Sequence, residues 1–314
     1  MEVYLYELDN LVELSLKFDP YIFHTPKHLL TQSPSTIFCF YLFRKVEDAA
    51  TAIFQCVSDH EKNWLSPAKA PFGGIQCDES CVPEDITFFI QCIEQWISSC
   101  GGNRISLKTP PSCYDENVNV LISNCLGVDN YTKTTIYANH HIVVTSNFFE
   151  SIIRNSEKRR LKKCNMAGFN CSIYKGPSTE IIYSFLSYCK SEKNYSLSVT
   201  FSQLEQLLTT FPNEFTVFIV RDLDTIVALT VTVRINQSIL YNFLSASLPS
   251  YSRYSPAVML TEAVYIFCQE NGISILDLGI SLDHHGNEKP NLIRFKENIG
   301  GKRSYKAMYE KNLK

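Results

Sequence analysis

Residues 238–279 read SILYNFLSAS (238–247), LPSYSRYS (248–255), PAVMLTEAVYIFCQEN (256–271) and GISILDLG (272–279). The first block is a strand, rich in apolar and aromatic side chains. The third is a helix, with Leu260, Ala263, Val264 and Phe267 at helical spacing on one apolar face. Ser255 suits its cap, Pro256 its first turn and Gly272 the position past its end. A second strand, 273–278, starts without delay. A strand feeding a loop at a helix N-terminus is a natural anion cradle, because the first backbone N–H groups of the helix lack internal partners. The active site is therefore expected in this unit.

Outward from it, residues 216–221 and 225–235 read as strands joined by a turn at 222–224, and Asn236-Gln237 turns the chain into 238. The first half repeats that order. Residues 36–44 and 49–58 form a hairpin, 63–66 adds a strand, and a loop rich in Pro and Gly spans 67–83. A helix at 84–99 then puts Ile86, Phe89, Ile90, Ile93 and Ile97 on one face. Gly101-Gly102 ends it, and 104–108 is the next strand. Residue identity between the halves is slight, so the repeat is one of architecture. Between them, 147–163 is read as one helix with Phe148, Ile152 and Leu161 inward, ending in a basic cluster of Arg159, Arg160, Lys162 and Lys163. Residues 169–174 read as a strand, and 179–192 and 202–210 as helices.

With 314 residues, and roughly 100–200 residues per domain, two domains are expected, 1–146 and 147–314. The 17 Tyr and 20 Phe favour an ordered, sheet-rich chain. A net charge of −3 argues against a surface that holds nucleic acid throughout, and leaves room for a local basic patch. The 12 Cys show no disulfide framework, and Cys77-x-x-x-Cys81 lacks a second pair for zinc. Reduced, buried thiols and a cytoplasmic location are expected. The N-terminus MEVYLYELDN lacks the basic-then-apolar layout of a leader, and no apolar run approaches the ~20 residues of a membrane span.

Three stretches resemble the GNAT acyltransferase superfamily, in its tandem, Fem-type (FemABX-like) branch. They are Arg159-Arg160-Leu161-Lys162-Lys163-Cys164 with Ala167-Gly168-Phe169; Tyr254-Ser255-Pro256 through Leu260, Glu262 and Ala263 to Leu276-Asp277-Leu278-Gly279; and 291–301, NLIRFKENIGG, with its Phe-Lys pair before glycine. The match covers the second half; in the first, only Pro71-Phe72-Gly73-Gly74 and the following helix are similar. The resemblance implies an α/β (α+β) fold of two GNAT-like domains, each a twisted mixed sheet flanked by helices. The acyl donor would sit where two parallel strands splay apart, and the first domain would be degenerate. Residues 250–255 lack the glycines of simple GNAT enzymes, as Fem-type enzymes do, and the long helical arm of tRNA-using members is absent.

The function implied is an N-acyltransferase: an amine attacks the carbonyl of acyl-CoA, acetyl-CoA for example, directly. The acceptor is a small-molecule amine or a peptide-like amine. The alternatives are aminoacyl transfer from charged tRNA to a cell-wall precursor, or a GNAT-like binding protein without chemistry. Tyr251, Arg253, Tyr254, Ser255 and Ala257 are the candidate donor-binding residues, where a guanidinium and a helix N-terminus would hold phosphate. Asp277, at a strand end, and Asp283 with His284, in the loop SLDHHGNEKP, are candidates for taking the proton of the amine. Phe72, Gly73, Gly74, Arg294 and Lys296 are candidates for contacting substrate. A solvated helix face is the competing reading of Lys296. No metal is expected, since no ligand set accompanies His284 and His285.

Overall fold

The computed structural model describes residues 1–8, 14–32, 36–45, 47–176, 178–192, 196–283 and 286–313. In chain order its elements begin with β1 (Glu2–Glu7), α1 (Pro26–Gln32), β2 (Phe38–Phe43), β3 (Ala52–Ser58), β4 (Asn63–Ser66) and β5 (Ile75–Cys77). Next come α2 (Pro83–Ser99), β6 (Arg104–Lys108), α3 (Glu116–Val128), β7 (Thr132–Val143), α4 (Phe149–Ile152), α5 (Asn155–Met166) and β8 (Asn170–Ile173). The remainder is α6 (Thr179–Ser191), α7 (Phe201–Thr210), β9 (Phe215–Asp222), β10 (Thr225–Asn236), β11 (Ile239–Ser247), α8 (Ala257–Glu270), β12 (Ile275–Ile280), α9 (Pro290–Asn298) and β13 (Lys302–Asn312). They form two compact units, Met1–Ala138 with Ser304–Lys314, and Asn139–Arg303.

In the first unit the strand order is β1-β2-β3-β4-β6-β13, with β5 beside β3. The β1–β2–β3 ladder is antiparallel, while β4 and β6 run parallel from Asn63↔Arg104 to Ser66↔Leu107. The crossover helix α2 buries Ile86, Phe89, Ile90, Ile93 and Ile97 against Phe40, Phe54, Trp64 and Ile105, the face its spacing predicts.

In the second unit the order is β7-β12-β11-β10-β9-β8, with β7 contributing its residues from Asn139 onward. Strands β8 to β11 are antiparallel. Strands β11 and β12 are parallel for only three pairs, Ile239↔Ile275, Leu240↔Leu276 and Tyr241↔Asp277. Beyond Tyr241 they part, and β11 runs on to Ser247 with Phe243 unmatched between Leu244↔Val231 and Asn242↔Thr232. The crossover helix α8 packs Val258, Leu260, Val264 and Cys268 into the core with Phe218, Val220 and Leu276.

Three local expectations are corrected. Ser255 does not cap α8: it lies at φ +59, and Pro256 occupies the N-cap with no side-chain cap bond. The helix expected over 147–163 is two helices, α4 and α5, because Ile153 and Arg154 are extended. Phe149 turns inward, whereas Phe148 is 86% exposed. Eight of the twelve cysteines are buried, Cys92, Cys113 and Cys171 are half-buried, and Cys100 is exposed, so burial holds for most of the thiols and not for all.

Candidate active site

Where β11 and β12 part, the second unit contains a cleft of about 570 Å³. Ser252, Ser255 and Ala257 line one end, at the start of α8. Leu260, Leu278 and Phe295 supply apolar walls, and Thr230, Asn242 and Lys296 add polar groups. The splay leaves the backbone of β11 beyond Tyr241 unpaired on its β12 side, so peptide groups edge the cleft.

The far side is built around Asp277 and Gly279. Opposite β7, the register shifts between Asp277 and Gly279. The buried Asp277 carboxylate holds that irregularity: its Oδ1 accepts the Gly279 N–H and the Asn139 Nδ2, each at 2.8 Å. Gly279 has φ +72, and a Cβ there would lie 3.1 Å from the Tyr241 ring, so any other residue would be strained and crowded. Bent this way, the Gly279 and Ile280 carbonyls accept from Lys296 Nζ at 2.8 and 2.9 Å. Lys296 is 6% exposed, so it is not on a solvated helix face. Burial lowers its pKa from 10.5 to about 8, against a smaller upward pull from Asp277. Among the described residues, two of its three N–H groups are spent on carbonyls, which leaves one for the cleft that Lys296 lines.

His140, on β7 opposite Gly279, is fully buried, and its ring nitrogens have no hydrogen-bond partner among the described residues. Burial, reinforced by Lys296, lowers its pKa to about 4, so it adds no second cation at neutral pH. Its Nε2 stands 4.0 Å from Glu297 Oε1, and Glu297 is held by Arg303.

Of the residues expected from sequence, Ser255, Ala257 and Lys296 come together in the cleft. Asp277 lies behind its wall. Tyr251 donates its hydroxyl to Asp222 at 3.0 Å. Tyr254 packs on Phe169, with the Arg253 guanidinium and Lys163 ammonium 4.6 and 5.0 Å from its ring centre. Asp283 accepts the Asn287 N–H at 2.9 Å and so shapes its loop. His284 and His285 lie outside the described residues, and Arg294 is exposed on α9. Thr230, Tyr241, Asn242 and Gly279 were not among the sequence candidates. They meet through strand register, and Gly279 alone carried a signal, as the glycine closing LDLG.

Phe72, Gly73 and Gly74 belong to the first unit, in the connection from β4 to α2. Gly73 donates its N–H to Lys108 O at 2.9 Å, and Gly74 to Ser66 Oγ at 2.9 Å. A Cβ on Gly73 would lie 2.8 Å from Pro67 N. Phe72 is buried among Tyr21, Phe23 and Tyr114. These residues thus bind the ends of the parallel strands β4 and β6, the place that β11 and β12 leave open in the second unit.

One stability prediction follows from Ser255. A side chain in the left-handed region is disfavoured by about 1 kcal/mol. Ser255→Gly is expected to raise the stability to denaturant by that amount. An unchanged denaturation midpoint would show that the serine is not strained there.

Among the described residues no group of three or more His, Cys, Asp or Glu is placed to hold a metal. No described helix is long and apolar enough to cross a membrane.

A family model described as acetyltransferase (GNAT) domain matches residues 193–297, which include β11, α8, β12 and most of α9. The fold is similar to that of FemX, at TM-score 0.71 and 11% identity over 93% of this chain and 92% of that one. It is also similar to a tandem GNAT protein from the clavulanic acid biosynthesis pathway, at 0.59 and 8% over 100% and 99%. A third likeness is to the C-terminal domain of an Agrobacterium fabrum chain named for lysylphosphatidylglycerol synthetase, at 0.56 and 13% over 84% and 81%. No curated protein matches the sequence significantly. Residues 193–297 thus match a GNAT domain model, and the fold is similar to those of FemX and of a tandem GNAT protein.

Proposed function

We propose that the second unit transfers an acyl group from acyl-CoA to an amine, by direct attack within the β11–β12 cleft. The observation that carries this reading is Lys296, a buried ammonium presented to an otherwise largely apolar cleft beside unpaired strand backbone. In the proposed step the amine nitrogen bonds to the thioester carbon. The Lys296 N–H and the β11 peptide groups stabilise the oxyanion, a role that preorganised donors fill best in a water-poor site. The C–S bond then breaks, CoA leaves as thiolate, and the proton of the amine passes to solvent. The same ammonium disfavours a protonated amine nearby, which helps keep the acceptor nucleophilic. Asp277 is assigned a positioning role: it bends the chain at Gly279 so that two carbonyls hold Lys296.

The donor phosphates are assigned to the start of α8, where Ser252 and Ser255 add hydroxyls to the first-turn N–H groups other than that of Val258, which donates to Ser255 O at 3.1 Å. The chain has no glycine-rich loop there, so side chains replace part of the usual backbone cradle. Calorimetric titration with acetyl-CoA and with free CoA, at low and moderate salt, tests the reading. One saturable site for both is expected. Absence of binding at either salt would overturn it.

A second reading is aminoacyl transfer, favoured by the likeness to a chain named for lysylphosphatidylglycerol synthetase. It requires salt-sensitive binding of charged tRNA, with slopes set by the number of phosphates contacted.

A further inference from the structure

A patch on the second unit is not used by the cleft chemistry. Leu223 stands at the tip of the β9–β10 hairpin, where Asp222 pairs with Thr225 and leaves a two-residue turn. It is 90% exposed and lies at φ +50. Both conditions disfavour leucine: water around an apolar side chain, and a left-handed backbone that Gly, Asn or Asp would adopt more readily. Places where local preference and structure disagree in this way tend to be functional.

Met166, the last residue of α5, is 79% exposed. Since β8 pairs with β9 as Asn170↔Arg221, the end of α5 and the hairpin tip lie at the same end of the sheet. Tyr251 joins them, bonding Asp222 and packing on Phe169. Around these apolar tips stand Arg159, Lys162 and Lys163 on the exposed side of α5, and Arg253. Lys163 Nζ donates to the Arg253 carbonyl at 3.0 Å, which holds the two cations together. Asp224 is also exposed at the tip and Asp222 half-buried beside it, but the four cations outnumber these two carboxylates on a chain of net charge −3.

We propose that this patch docks the second unit on an anionic lipid bilayer. Leu223 and Met166 enter the boundary between headgroups and acyl chains, and the four cations face lipid phosphates. An RNA partner would employ the cations but leaves the two aliphatic tips in water. Arg253 adjoins Ser252, which lines the cleft, so docking sets the end of the cleft at α8 close to the membrane surface. The proposal does not depend on which acyl group is transferred.

Co-sedimentation with vesicles tests it, using equal parts phosphatidylcholine and phosphatidylglycerol against phosphatidylcholine alone. Binding is expected only to the anionic vesicles, falling as salt rises. Lys162→Glu should weaken it at least five-fold, given about 1 kcal/mol per basic residue near the surface. Leu223→Asn suits the turn, so it should preserve or raise thermal stability while weakening vesicle binding; Met166→Ser should also weaken binding. No sedimentation with anionic vesicles at low salt would overturn the proposal. So would binding that survives both apolar substitutions. Tight binding of an RNA oligonucleotide, with none to vesicles, would assign the patch to nucleic acid instead.

Discussion

Lys296→Met is expected to lower the rate of acyl transfer by about 10²–10³, the cost of removing one preorganised oxyanion donor. The fold should survive. A pKa of about 8, below the ordinary 10.5, means that the ammonium is less comfortable in the protein than in water. Methionine fills a similar volume without a buried charge, but it leaves the Gly279 and Ile280 carbonyls without this donor and Asp277 without the facing ammonium, so stability should fall by about 2–3 kcal/mol. Thermal melts of the variant should show a lower midpoint, so the rates are compared at a temperature where both proteins are folded. A variant that keeps full kcat would remove Lys296 from the chemistry. The same shift predicts a pH dependence. The folded-state ammonium is present below about 8 and lost as pH rises through it, so kcat should fall above that pH. Lys296→Arg keeps its charge at all accessible pH and should lack this alkaline limb, whatever activity it retains. A falling limb shared by both proteins would come from another group. The stability contribution has the opposite sense: the unfolded chain holds that proton up to about 10.5, so the cost of the buried charge is full below 8 and fades between the two values.

Asp277→Ala is expected to cost about 3 kcal/mol, since it leaves the Gly279 N–H and Asn139 amide without their acceptor and removes the carboxylate facing Lys296. Asp277→Asn separates the two effects. An asparagine oxygen can still accept from the Gly279 N–H and the Asn139 amide, so stability should fall less than with alanine. What is lost is negative charge. The Lys296 pKa should drop further, and the alkaline limb should move to lower pH with it. If Asp277 were instead the base for the acceptor amine, Asp277→Asn would lower kcat at every pH and leave that limb in place. A pH profile of kcat in the two proteins distinguishes these outcomes.

The strand–helix–strand units were legible because their signals are local. The isoleucines of α2 repeat at helical spacing, Gly272 closes α8 in the left-handed region, and β6 occupies the span between Gly102 and Pro110. Helix α3 was not anticipated: only Val118, Ile122, Cys125 and Leu126 of it are buried, a narrow stripe among Asn, Ser and Gly. Residue Ser255 misled because a serine before Pro suits a cap by type, while the loop 250–255 forces it to φ +59. In the site, Ser255, Ala257 and Lys296 could be picked out because each sits in a stretch with its own pattern. Thr230 and Asn242 could not. They reach the cleft only because β10 and β11 pair in a shifted register around Phe243, and no spacing along the chain encodes that meeting. The burial of Lys296 was equally hidden, since it depends on the bend at Gly279 on another element.

The central claim is that the acyl donor occupies the cleft between β11 and β12. Its most direct test is calorimetric titration of acetyl-CoA into wild type and into Ala257→Trp. Ala257 is half-buried where the cleft meets α8, so an indole there fills the proposed phosphate and pantetheine path without altering the first unit. The expected result is a single site in wild type and loss of binding in the variant, with matching circular dichroism and melting curves. Equal affinity in the two proteins would place the donor elsewhere and contradict the assignment of the cleft.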